Sequence, residues 1–167
     1  EPLLINTIGH STGVLLFGLS LYFLARHHRA SRLSIAAAAL ALVYNLSSLL
    51  VLAYRHEALV ALATSALSLL PAVLLHVSLG ERLPWIVRSG YALGGVSVLL
   101  HATEHASGIP HRSALLIATV GFAALTVATG LLLIRAREPV SRITGAMALF
   151  LFSITFVHLG AGEPHSQ

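Results

Sequence analysis

The residues able to do chemistry in this chain are its histidines. There are ten, against one methionine and no cysteine, in 167 residues. His101 and His105 are four apart, so on a helix their imidazoles share one face. Glu104 precedes His105, and the five residues read His-x-x-Glu-His. Two imidazoles and a carboxylate at this spacing suit a transition metal such as zinc, copper or iron. The same five residues also spell the inverted zinc-protease motif, but they end in the turn residues Gly108, Ile109 and Pro110. A metal site built from several helices is therefore the stronger expectation, with His158 completing the set His101, Glu104, His105. Haem b is the other option, because it takes one axial imidazole from each of two facing helices. His10 with His101, or His158 with His105, would provide that pair. Imidazole also titrates at about 6.5 when unperturbed, so the same residues could sense protons.

These side chains have to be positioned by something, and composition says what. Hydrophobic residues make up 56% of the chain, charged residues 10%, and the mean hydropathy is +0.86. A soluble domain usually carries about 25% charge. So apolar a surface is expected to face lipid. Six apolar segments follow one another, over 3–25, 33–54, 58–79, 85–105, 113–134 and 143–160. Each approaches the length of about 20 residues that a membrane helix needs. Alanine and leucine dominate them and β-type alternation is absent, which favours helices over barrel strands. The fold expected is all-α, a single domain forming a polytopic transmembrane bundle with about six spans and short, antiparallel connections. The first segment is not a signal peptide by pattern, since its basic flank follows the apolar run.

The net charge of +4 comes from ten arginines and no lysine. They cluster between the apolar segments, which is the pattern of loop anchors and not of a nucleic-acid face. Connections after segments 1, 3 and 5 hold eight arginines and those after segments 2 and 4 hold two. By the positive-inside rule the first set lies in the cytoplasm and the N-terminus lies outside. That orientation puts His10, His56, His101, His105, His111, His158 and His165 on the outer side. His27 and His28 fall in a cytoplasmic connection, and His76 near the inner end of segment 3. For His27, His28, His56, His111 and His165 the expectation is a headgroup-zone side chain bonded to water. Trp85, beside Pro84, stands where an interfacial anchor belongs.

Inside the segments, Pro71 is expected to kink the third helix. Asn45 and His76 should be interior polar groups with partners, as should Asn6. Gly9 and Gly13 make a Gly-x-x-x-Gly step, and Gly90, Gly94 and Gly95 recur in segment 4. Such residues let helix backbones approach closely. No Asp and no central Glu occupies a segment, which argues against a transporter with a charged relay.

Three stretches carry a resemblance. Asn6-Thr7-Ile8-Gly9-His10-Ser11-Thr12-Gly13 opens the chain, and Leu69-Leu70-Pro71-Ala72-Val73-Leu74-Leu75-His76 lies in segment 3. Phe150-Leu151-Phe152-Ser153-Ile154-Thr155-Phe156-Val157-His158-Leu159-Gly160 closes segment 6. Together they resemble the N-terminal membrane region of bacterial sensor histidine kinases with a seven- or eight-helix input module. The resemblance implies a multi-pass protein of the bacterial cytoplasmic membrane that receives a signal. The phospho-acceptor histidine box and Gly-rich ATP lid of those kinases do not occur here. Six spans would leave both ends outside, so a kinase would need another span. The chain is then expected to be a fragment, or a stand-alone relative working with other membrane subunits or as a homodimer. The alternative function is a cytochrome-like or accessory subunit of a respiratory or photosynthetic electron-transfer complex.

Overall fold

Lipid offers the backbone no hydrogen bonds, so a chain this apolar must satisfy its amides within helices. The computed structural model describes residues 2–27, 30–109 and 111–135, and among them the only regular elements are five helices. They are α1 (Pro2–Arg26), α2 (Arg32–Tyr54), α3 (Glu57–Leu79), α4 (Pro84–Ser107) and α5 (Arg112–Arg135). Their limits differ by no more than two residues from those expected from hydropathy. The sixth apolar segment, 143–160, lies outside the described residues, and His158 and His165 with it.

Local chemistry sets the ends. Ser31 caps α2, its Oγ accepting the Ser34 N–H at 3.0 Å, which satisfies one of the amides a helix start leaves orphaned. Arg55, in the left-handed region at φ 49°, closes α2 through its N–H to the Val51 carbonyl. Gly108, at φ 68°, ends α4 in the same way on the Glu104 carbonyl. Pro84 starts α4 at the position where a missing N–H costs nothing.

Four of the five helices, α1, α2, α3 and α5, are long and apolar enough to cross a membrane, and the chain is a membrane protein. α4 has the length but is more polar. Arg88, Ser89, Ser97 and three glycines dilute its apolar run, so its status as a span is not legible from hydropathy alone.

The helices pack in chain order: α1 on α2, α2 on α3, α3 on α4, α4 on α5. α3 is the hub. Half of its most apolar stretch is buried, whereas none of that of α1 is. On one side of α3, Leu70 and Val73 meet Ala37 and Ala41 of α2. On the other, Leu75 and Leu79 meet Ile86 and Val87 of α4 and Leu133 of α5. α3 runs as one helix through Pro71, which is buried. The proline leaves the Leu67 carbonyl without its usual donor.

Small residues bring α3 and α4 together. A Cβ at position 94 would stand 2.9 Å from the Ser68 carbonyl oxygen, and one at position 90 would stand 3.1 Å from Leu75 Cδ2. Gly95 meets nothing within 4 Å. Substituting Gly94→Leu should therefore push α4 off α3 and destabilise the protein by about 1–3 kcal/mol, as overpacking does. Gly95→Leu should leave the detergent melting temperature near that of the wild type. Equal melting temperatures for the two variants would contradict this packing.

Candidate functional site

The first joint of the bundle is polar. The side of α1 turned to α2 carries Thr7, His10, Ser11 and Gly13, partly buried, while Leu3, Leu4, Ile8, Leu15 and Leu16 are exposed on the other side. Across from it, α2 presents Asn45, which is buried. Asn45 Nδ2 donates to the Ala41 carbonyl one turn back, at 2.8 Å. That bond turns Oδ1 toward α1, where His10 Nδ1 lies 3.2 Å away. The Tyr44 ring meets the His10 ring edge-on, with centroids 5.6 Å apart.

The chemistry of this contact fixes the histidine. A carboxamide oxygen only accepts, so His10 Nδ1 must donate and must carry a proton. In the neutral ring the lone pair is then on Nε2. A histidine held through Nδ1–H to a carbonyl oxygen, with Nε2 available, has the usual arrangement of a metal-ligating or proton-accepting imidazole. Gly13 makes room for it. A Cβ at position 13 would overlap the Asn45 carboxamide. Gly9, by contrast, has nothing within 4 Å of where its Cβ would be. In the Gly-x-x-x-Gly step, one glycine accommodates the asparagine and the other borders no helix among the described residues.

A second joint links α3 and α4. His76 Nδ1 and the Tyr91 hydroxyl share a hydrogen bond at 3.1 Å, and the rings meet edge-on at 5.7 Å. His76, partly buried, thus has a partner on the neighbouring helix. Neither Tyr44 nor Tyr91 was legible as a partner from residue type alone. Tyr91 lies one turn farther along α4 than the position that mirrors His76 about the α3–α4 connection, so distance from the turn did not point to it either.

The His-x-x-Glu-His stretch forms the last turns of α4. His101 is partly buried and its Nδ1 lies 4.0 Å from Glu104 Oε2. His105 is exposed. Among the described residues no three metal-ligating side chains converge, so His101 and Glu104 are at most part of a ligand set. His158, the proposed third helix's contribution, lies outside the described residues. His10 and His101 are not brought together, because α1 packs on α2 while α4 packs on α3 and α5. His56 has a local role: its Nδ1 accepts the Ala58 N–H at 3.3 Å and caps α3. His111 lines an open depression of about 310 Å³ at the start of α5, with Arg112 and Ser113.

Comparison of the chain with protein-family models, with curated proteins and with solved structures gives no match. The site's own geometry therefore carries the functional reading.

Gly13 and Asn45 should be energetically coupled. Gly13→Ala alone should destabilise the protein by displacing the carboxamide, and Asn45→Ala alone should cost about 1 kcal/mol for the lost interhelical bond. In the Asn45→Ala background the Gly13→Ala penalty should largely vanish, since the overlapping group is gone. Additive penalties in a double-mutant cycle of thermal or denaturant unfolding would contradict the joint.

Proposed function

We propose that this chain is a membrane-embedded signal-input module of the kind found in sensor histidine kinases, and that His10 is its receiving group. The observation that carries the reading is the α1–α2 joint. α1 is held to the described bundle through one neighbouring helix, and the side-chain hydrogen bond across that contact comes from an imidazole whose second nitrogen is available. An electron-pair acceptor at Nε2, whether a proton, a transition metal or haem iron, draws charge from the ring and makes Nδ1–H a better donor. Charge-assisted hydrogen bonds are shorter and roughly twice as strong as neutral ones. Occupancy of Nε2 would therefore tighten α1 against Asn45. A switch needs two arrangements with different affinity for the signal, and a loosely covered helix with one polar contact fits that requirement.

The topology we propose has six spans, with α4 crossing alongside α3 and the segment 143–160 crossing last. The N-terminus lies outside the cytoplasm of a bacterial inner membrane. The arginines at the α1–α2 and α3–α4 connections support that orientation. The exposed apolar face of α1 suits lipid, a second copy of the chain or another membrane subunit. His101, Glu104, His105 and His158 remain the proposed ligands of a second, outer site for a metal or haem. The electron-transfer alternative needs two imidazoles facing each other across helices. The described helices supply no such pair.

The chain contains no cysteine, so paired spin labels can be introduced without background. With labels at Leu4→Cys and Tyr54→Cys, in nanodiscs, acidification, Zn²⁺ or haemin should narrow the α1–α2 distance distribution. His10→Ala should abolish the response. An unchanged distribution under all three treatments would remove His10 as the receiving group. A Soret band that survives His10→Ala would assign haem to other histidines.

A further inference from the structure

The two ends of the bundle differ sharply in charge. At one end the described residues place Arg26, Arg32, Arg82, Arg88 and Arg135 with a single acid, Glu81. At the other end Arg55 and Arg112 are balanced by Glu57 and Glu104. All five arginines of the first end are exposed. We infer that this end is a binding surface for the phosphates of anionic phospholipids, with Tyr22 and Trp85 seating it at the level of the headgroups.

The aromatic rings provide the independent support. Tyr22 lies one turn before Arg26, and the guanidinium stands 4.7 Å from the centre of the Tyr22 ring. Both side chains are exposed, so the pair covers no protein core. Trp85 is 56% exposed and lies three residues before Arg88, on the same face of α4. Leu133 packs against Ile86 and Val87, which sets Arg135 beside the first turn of α4. Each arginine group is thus combined with a ring whose apolar body suits acyl chains and whose polar edge suits the interface. A guanidinium gives a phosphate two parallel donors. A cytoplasmic leaflet rich in anionic lipid carries the complementary charge. This inference rests on the proposed topology, in which α4 crosses the membrane, and not on the sensor reading, so it stands if His10 has no role.

The test uses the full chain in nanodiscs of phosphatidylcholine alone or mixed with phosphatidylglycerol, read by native mass spectrometry and thermal unfolding. The wild type should retain phosphatidylglycerol in preference to phosphatidylcholine and melt higher in its presence. Each arginine removed from the set Arg26→Gln, Arg32→Gln, Arg88→Gln and Arg135→Gln should weaken retention about fivefold. The corresponding Arg→Lys variants, which keep the charge, should retain most of it and show that loss does not reflect misfolding. Arg55→Gln with Arg112→Gln, at the opposite end, should leave retention unchanged. Equal retention of the two lipids by the wild type would overturn the inference. So would an equal loss from the opposite-end variant, or inorganic phosphate alone in phosphatidylcholine discs reproducing the whole rise in melting temperature.

Discussion

A helix in lipid has no water to complete its polar groups, and that constraint governs the buried polar side chains of this bundle. No buried side-chain nitrogen or oxygen lacks a partner among the described residues. The hydroxyls of Ser68, Ser97, Thr119, Thr126 and Thr129 all donate to the carbonyl one turn back in their own helix. They are thereby neutralised without tying one helix to another. Association must then come from close packing and from the few side chains that reach across. Small residues at positions 68, 72, 90 and 94 supply the first between α3 and α4. His10 with Asn45, and His76 with Tyr91, supply the second.

The same constraint separates a firm centre from a light edge. α3 lies between α2 and α4 and shares both clusters of buried apolar residues. Tyr91 belongs to α4 yet packs against both clusters, so the His76–Tyr91 bond sits where three helices already adhere. α1 has neither advantage. Its contact with α2 is made of one polar pair, a glycine that admits it, and partly buried aliphatic residues. In lipid the exposed face of α1 is well solvated, so nothing forces it inward.

Much of this was legible in the sequence, and the reasons are physical. Helix positions follow from the length of apolar run needed to cross hydrocarbon, and the observed helices agree with them closely. Asn45 was expected inside because a polar group in lipid needs a partner, and it is buried, whereas Asn6, expected inside on the same ground, is exposed near the start of α1. What hydropathy could not convey is which partner. Gly13 reads as a site of backbone approach, and it turns out to accommodate a side chain. The expectation that histidines of similar depth would meet failed for His10 and His101 because depth is one coordinate and packing order is another. α4 is less apolar for a related reason: Gly90 and Gly94 are spent on contact with α3, not on contact with lipid.

The two histidine joints also differ in what they can do chemically. Tyr91 can donate or accept, so His76 can hold its proton on either nitrogen and still keep its bond. A change of protonation there can be absorbed by rotating a hydroxyl. Asn45 has no such freedom. Its Nδ2 is committed to the Ala41 carbonyl, its Oδ1 only accepts, and His10 must answer with Nδ1–H. Any change at His10 Nε2 is transmitted through a bond that cannot reverse its direction. Gly13 leaves the room in which the carboxamide sits. On the proposed reading, a polarised contact of this kind, at the edge of a bundle whose centre is fixed by packing, would convert chemistry on one ring atom into the position of one helix.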